Sequence, residues 1–545
     1  MIKLNLTEFL ISLGSNTLAE IYGKERLSAI IETIDTSISE RAIVNLLKTR
    51  YGSQIFSNKL LRGYVIGSLR NEYLSFLLNG KYENIDISDQ DKKKLIKLNW
   101  NRNIKSIQRL IEIFDLSEDH LPSKTYQKDD IENIKPEHNL FSHQKRIKDK
   151  FIKNLKLSKK KMIINMPTGS GKTRTTVEGL VDYWRVLADQ KSFVVWMAHS
   201  EELCEQAVET IKKTWSIRGE NNLKVYRLWS NHSPKFDNDG GFIVTSFAKI
   251  YSMMKSGHDE VFKQILKIKS KCFALVVDEA HKSIASTYQD AINYITDKDK
   301  SILVGLTATP GRGWNDEENR RLARFFDNTL IPITDENDNE IDDAIKYLQD
   351  NGYLAYVITD QVSTDINLDL SESDKKYLND SLDLPETFFS SLGEHKNRNL
   401  CILAQIIKYY QENKSIIVFA CSLDHASLLN EICSIKGIKS ASIDKDTTVE
   451  NRRKHIQSYK DGDIKVLINY GVLTTGFDAP NTDVVIITRP TQSPILYSQM
   501  IGRGLRGPKV GGNKKCILVD IKDNITGLPN ERSTYSMYRD NYQNS

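Results

Sequence analysis

MIINMPTGSGKTRTTVEGL, residues Met162–Leu180, decides the reading of this chain. An apolar run ends at Met166. Small residues follow from Pro167 to Gly171, and a helical stretch begins at Lys172. Gly169 and Gly171 let the backbone curl so that its N–H groups face one centre, and the N-terminus of the following helix adds positive potential there. Thr168, Gly169, Ser170 and Gly171 therefore form a phosphate cradle. Lys172 is expected to reach the β- and γ-phosphates of a nucleotide, and Thr173 to ligate Mg²⁺. The strict pattern opens on Gly, where Met166 stands here.

Outward from this loop the texture is constant. Short apolar runs that end in loops alternate with helical stretches: KMIINM, FVVWMA, GFIVTS, CFALVVDEAH and SILVGLTATP. That is the pattern of a parallel sheet covered by helices. A second series begins near residue 400 with KSIIVFACS, IKSASID, IKVLINY, VVIITRP and KKCILVDI. Between the series lies a polar, acidic segment. Residues 1–135 read as helical instead. Leu27, Ile30, Ile31 and Ile34 share one helix face, as do Ile104, Ile107, Ile111 and Phe114, and Ser39 before Glu40 reads as a helix cap. KLLRGYVIGSLRNEYLSFLL reads as one buried helix. The expected division is a helical domain at 1–135, a first α/β domain at 136–350, a connection at 351–395 and a second α/β domain with a short tail at 396–545.

Composition sets the limits. The chain has 545 residues, 39% of them apolar and 27% charged, enough for several cores and too ordered for wholesale disorder. A net charge of +5 excludes a histone-like binder while allowing local basic grooves. No apolar run approaches the roughly 18 residues of a membrane span, and the N-terminus lacks a secretory pattern. The six cysteines are widely spaced with no CxxC pair, which predicts buried reduced thiols in a cytoplasmic protein.

LVVDEAH puts Asp278 and Glu279 at the end of a buried strand. Ligand sites of α/β sheets lie at carboxyl ends of strands, and adjacent carboxylates there need a cation. With a phosphate loop about a hundred residues upstream, Mg²⁺ bound to ATP supplies it. Asp278 would hold the ion, and Glu279 would orient and deprotonate the attacking water. In SQMIGRGLRG, Gln499, Gly502, Arg503 and Arg506 sit at helical spacing. Both arginines could reach across a cleft as arginine fingers. LTTGFDAPNTDVVI offers a turn in which Thr474 and Thr475 would donate to a nucleic-acid phosphate. Gly476 would admit a close backbone approach, and Asp478 would meet a ribose.

The order of these blocks resembles superfamily 2 helicases and translocases, over about residues 140–520. The resemblance implies two tandem RecA-like domains, each a parallel sheet flanked by helices. It makes Gln144 of FSHQ the adenine-reading glutamine. MPTGSGKT resembles motif I, DEAH motif II, LTATP motif III, TTGFDAP motif V and QMIGRGLR motif VI. His281, Thr307 and Thr309 would couple the nucleotide site to a nucleic-acid groove. Candidate groove contacts are His199, Ser200, Thr245 and Ser246 on the first domain, with Ser422, Thr474 and Thr475 on the second. GLTATPGRGW, GFDAP and YSQMIGRGLRG look most like the XPB-like and restriction-enzyme-type prokaryotic branch. This implies an ATP-dependent motor on DNA, serving restriction, repair or anti-phage defence with a separate effector protein such as a nuclease. An RNA helicase and an ATP-gated clamp that recruits a partner without travelling remain open.

The helical region before residue 135 carries no catalytic constellation. It reads as a partner-docking module, as an extra DNA-binding domain with Lys92, Lys93, Lys94, Lys97 and Arg102 as its basic face, or as a buttress for the first RecA-like domain.

Overall fold

The computed structural model describes residues 3–34, 37–97, 104–116, 139–187, 191–199, 201–236, 240–308, 316–374, 384–444, 447–471, 482–491, 497, 500–502 and 504–526. Two parallel sheets organise the chain. The first contains β1 (Lys161–Asn165), β2 (Phe193–Ala198), β3 (Val225–Leu228), β4 (Gly241–Ser246), β5 (Cys272–Asp278), β6 (Ile302–Thr307) and β7 (Leu330–Ile331), in the order β3-β4-β2-β5-β6-β1-β7. The second contains β8 (Tyr356–Asp369), β9 (Ile416–Phe419), β10 (Ser440–Ile443), β11 (Val466–Asn469), β12 (Val484–Ile487) and β13 (Lys515–Thr526), in the order β10-β11-β9-β12-β13-β8. Every strand pairing is parallel. Strands β2, β4, β6, β9, β11 and β12 are buried along their whole length, as continuous apolar runs covered by helices require. These sheets define two lobes, as the alternation of runs and helices predicts, and they are the two RecA-like domains that the resemblance implies.

The expected connection at 351–395 needs correction. Residues 356–369 are β8, an edge strand of the second sheet in register with β13, and the helix Glu386–Glu394 packs on the second lobe's helix Leu423–Ile435. The second lobe therefore starts about 40 residues earlier than expected. The sequence YVITDQVSTDINLD is mostly polar because an edge strand keeps one side open to water, and such a strand lacks the apolar run that marks its central neighbours.

The N-terminal region is helical as expected, with helices from Leu6–Ile11 to Ile104–Phe114. Ser39 caps Glu40–Tyr51 by accepting from the Ala42 N–H. KLLRGYVIGSLRNEYLSFLL is two helices rather than one, Lys59–Ser68 and Asn71–Asn79, because Leu69 and Arg70 are extended. Gly67 weakens the first helix just before it stops.

This helical domain shares its hydrophobic core with the second lobe. Leu27, Ile30, Val44 and Leu47 belong to one cluster with Ile402, Ile406, Leu429 and Ile432. Helices Lys24–Ile34 and Glu40–Tyr51 pack on Lys396–Gln411 and Leu423–Ile435. Arg26 Nε donates to Glu431 Oε2 at 2.9 Å, and the Thr49 and Ser434 hydroxyls lie 3.1 Å apart. The reading as a buttress of the first lobe is thus corrected: the domain rides on the second. No helix among the described residues is long and apolar enough to cross a membrane.

Candidate active site

Three motifs converge at the carboxyl end of the first sheet. β6 lies between β1 and β5, with Asn165 opposite Thr307 and Asp278 opposite Leu306. The loop after β1 is tied to motif III, since the Met166 N–H donates to the Thr307 carbonyl at 3.1 Å. Within the loop, Ser170 donates from both its N–H and its hydroxyl to the Pro167 carbonyl, at 3.2 and 2.6 Å. Gly171 takes φ +91°, in the left-handed region, and a β-carbon there would strike the Gln144 amide. Only glycine serves at this position, for both reasons. Lys172 opens the helix Lys172–Leu187, with Thr173 half-buried behind it, and its ammonium bonds the Met166 carbonyl at 3.1 Å. The lysine thus lies along the loop, within its own reach of the cradle. This geometry fits a bound phosphate chain.

Gln144 stands at the start of the helix Ser142–Lys156. Its Oε1 accepts from the Phe141 N–H at 3.0 Å and its Nε2 donates to the Ser170 carbonyl at 2.8 Å. The glutamine therefore holds the phosphate loop. His143 Nε2 lies 3.2 Å from the same carbonyl, and burial pushes its pKa down to about 4. The neutral ring with its proton on Nε2 satisfies that contact. A further support absent from the sequence reading lies behind: Lys148 bonds Glu178 and Asp182, both at 3.0 Å, and Arg218 bonds Glu178 at 2.6 Å. This pins the Gln144 helix to the helix that Lys172 begins.

Asp278 ends β5, and both it and Glu279 are buried. Glu279 has φ +55°, uncommon for a residue with a side chain, and its N–H donates to Asp278 Oδ1 at 3.1 Å. Backbone strain of this sort costs about 1–3 kcal/mol and concentrates where function holds a side chain in place. His281 Nδ1 lies 3.4 Å from Glu279 Oε2 and 3.4 Å from the Thr307 hydroxyl. The carboxylates, the imidazole and the motif III threonine form one buried group. Asp278 and Thr173 are the residues suited to hold a divalent cation.

The second lobe reaches the phosphate loop at its motif VI. A β-carbon built on Gly169 would lie 3.9 Å from the Gly502 carbonyl oxygen. Met500, Ile501 and Leu505 are buried in the core that also holds Ile164, Met166 and Leu306. Arg506 is half-buried and forms an isolated antiparallel bridge with Leu354. Thr309, Thr474, Thr475, Gly476, Asp478, Gln499, Arg503 and Ser200 lie outside the described residues.

Three of the expected nucleic-acid contacts make other hydrogen bonds in the structure. Thr245 is fully buried and its hydroxyl donates to the Leu228 carbonyl at 2.8 Å. Ser246 caps the helix Phe247–Lys255 by accepting from the Lys249 N–H at 3.2 Å. Ser422 caps Leu423–Ile435 by accepting from His425 at 3.1 Å, and lies beneath Gly393. A hydroxyl between a strand's end and a helix's start is drawn to the free N–H groups of that helix, and Ser246 and Ser422 serve as such caps. His199 remains half-buried at the end of β2. The Arg489 guanidinium lies 4.2 Å from the Phe389 ring centre and 6.0 Å from that of Tyr470. It lies two residues past the end of β12.

Residues 137–312 match the family described as Type III restriction enzyme, res subunit, and residues 398–507 match Helicase conserved C-terminal domain. The chain belongs to superfamily 2 of the helicases. It is 27% identical over 369 residues to a Saccharomyces cerevisiae protein named as an ATP-dependent helicase, IRC3, covering 66% of this chain and 48% of that protein. It is 26% identical over 249 residues to the DNA repair helicase/translocase XPB-R of Trypanosoma brucei brucei, covering 44% and 29%. Among solved structures, that of S. cerevisiae Dbp5 bound to RNA and ADP BeF3 covers 74% of this chain and 88% of that one, at 16% identity and a TM-score of 0.47. The matched region is thus about half the length of the IRC3 protein.

Proposed function

We propose that this chain is a nucleic-acid-stimulated ATPase that converts ATP hydrolysis into movement along DNA. The observation that carries the reading is the approach of Gly502 of motif VI to Gly169 of the phosphate loop, which brings the two halves of a split site to one seam. ATP with Mg²⁺ would supply a terminal phosphoryl group whose negative charge both lobes can share.

On the first lobe, Lys172 exchanges the Met166 carbonyl for phosphate oxygens, and the N–H groups of residues 168–171 supply the remaining donors. Thr173 and Asp278 would hold the cation. Glu279, fixed by its backbone, orients a water and takes its proton. Gln144 secures the loop and faces the base. From the second lobe, Arg503 and Arg506 meet the charge that develops during transfer, assisted by Gln499. Closing on nucleotide and opening after hydrolysis shifts one lobe along the strand, and His281, Thr307 and Thr309 link that change to the groove. Gly476, Asp478, Thr474 and Thr475 are assigned to the second lobe's share of these contacts, with His199 and Ser200 on the first.

DNA as the track is supported by the match to a restriction-enzyme family and by the DNA repair relative. Service in restriction, repair or anti-phage defence, with a nuclease or similar effector as partner, follows from the same likeness. The helical domain is read as the docking platform for that effector, carried by the second lobe. The deciding experiment compares ATPase stimulation by duplex DNA, single-stranded DNA and RNA, together with displacement of a triplex-forming strand. Stimulation by DNA with displacement supports the reading. Stimulation by RNA alone replaces it with an RNA helicase, and stimulation without displacement replaces it with a clamp.

A further inference from the structure

The chain passes from the first lobe to the second through residues 351–355, between the helix Ala344–Asp350 and β8. This short segment is bonded along its backbone to the end of motif VI. Ala355 N–H donates to the Leu505 carbonyl at 2.8 Å, Gly507 N–H to the Tyr353 carbonyl at 3.1 Å and Lys509 N–H to the Gly352 carbonyl at 3.0 Å. Leu354 and Arg506 pair across the same antiparallel bridge. The fit is close: a β-carbon on Gly507 would strike the Gly352 carbonyl and lie 2.7 Å from the Tyr353 carbonyl carbon.

Its side chains face the phosphate loop. Leu354 Cδ2 lies 3.4 Å from where a β-carbon on Gly169 would stand. The Tyr353 ring centre is 4.6 Å from that of His143 and 4.9 Å from that of Phe141. His143 in turn contacts the Ser170 carbonyl at 3.2 Å. Two separate lines therefore join the loop to the segment, one from Gly169 through Leu354 and one from Ser170 through His143 to Tyr353. Both Tyr353 and Leu354 are buried, and close-packed interiors transmit displacement because they compress little.

We infer that residues 352–355 are a strut that sets the position of Arg506 by the state of the phosphate loop, with Tyr353 and Leu354 as positioning residues for hydrolysis. A shift of Gly169 and Ser170 on nucleotide entry presses on the strut, and motif VI, bonded to its backbone, moves with it. This rests on the reading of a nucleotide shared between the lobes. It adds that the linker, and not the second sheet alone, delivers the arginine.

The test uses the full chain and separates binding from turnover. Leu354→Ala removes the atoms that touch the loop and leaves the backbone bonds. Tyr353→Ala removes the ring, and Tyr353→Phe keeps it. Expected are falls in kcat of about tenfold or more for Leu354→Ala and Tyr353→Ala, with affinity for a non-hydrolysable ATP analogue within about threefold of the parent. Tyr353→Phe should keep kcat within about twofold. Should Leu354→Ala fail to fold by thermal unfolding, Leu354→Val shortens the same contact and should show the same split. Full turnover in the folded Leu354 and Tyr353→Ala variants, or equal losses in kcat and affinity, overturns the strut. Lys172→Ala run alongside separates the two readings: if it is inactive while Leu354→Ala is fully active, only the strut fails, whereas full activity in Lys172→Ala removes the split site itself.

Discussion

His281 Nδ1 lies 3.4 Å from the Glu279 carboxylate and 3.4 Å from the Thr307 hydroxyl. The imidazole bridges motif II to motif III at the carboxyl end of the first sheet. Glu279 is therefore held twice, by its ring neighbour and by a left-handed backbone at φ +55°. Glu279→Gln preserves shape and removes the base. It should lower steady-state ATP turnover by about 10²–10⁴-fold, the usual worth of a positioned general base. Binding of an ATP analogue and of nucleic acid should stay within about threefold, and an unchanged rate would take Glu279 out of the mechanism.

Lys172 now rests 3.1 Å from the Met166 carbonyl, a contact a neutral side chain cannot replace at a phosphate. Lys172→Ala should abolish measurable hydrolysis and weaken nucleotide affinity. Near-normal turnover in that variant would refute the motif I assignment.

The helical domain's seat on the second lobe includes, beside the shared apolar core, an ion pair with an inaccessible end. The Glu431 side chain is 1% exposed and Arg26 is its partner at 2.9 Å. Arg26→Ala leaves the carboxylate buried without that charge, a loss of about 3–5 kcal/mol for pairs of this kind. Thermal unfolding should show a markedly lower Tm. A double variant, Arg26→Met with Glu431→Leu, should recover most of the loss, since apolar replacement of a buried pair is often near neutral. No change in Tm for the single variant would mean that the pair does not hold the domain.

Acid should destabilise the fold through buried histidines. Burial pushes His143 down to about 4; burial and the nearby Arg398 charge push His425 down to about 3. Both lie below the ordinary value of 6.5, so the unfolded chain takes up protons first as pH falls. Stability is full above about pH 6.5 and declines toward pH 4, by at most about 1.4 kcal/mol per pH unit per histidine. Tm measured from pH 8 to 4 should be flat and then fall below about 6.5. His143→Gln, which keeps a donor for the Ser170 carbonyl, should reduce that slope, and an unaltered slope assigns the acid sensitivity to other groups.

Central buried strands and the loops after them were legible in the sequence because burial on both faces leaves an apolar run, as in FVVWMA and IIVF. Strand β8 was not, being an edge strand with polar residues, and neither were β3 and β7, too short or too mixed to stand out. The docking of the helical domain on the second lobe is a long-range contact that local pattern does not encode. Hydroxyl residues at strand ends were read as nucleic-acid contacts, whereas the structure spends Ser246 and Ser422 on helix caps. Tyr353 and Leu354 carry no signal in the sequence because an irregular linker has no periodicity, though its backbone runs beside motif VI.

The central claim, that one nucleotide is shared across the seam between the lobes, is tested most directly by Arg506→Ala. The measurement is kcat for nucleic-acid-stimulated ATP hydrolysis beside affinity for a non-hydrolysable ATP analogue. An arginine acting from the second lobe on charge that develops during transfer is worth about 10³–10⁵ in rate. The account predicts a loss on that scale in kcat with affinity within about threefold. Equal losses in rate and affinity, or no loss in rate, would contradict it.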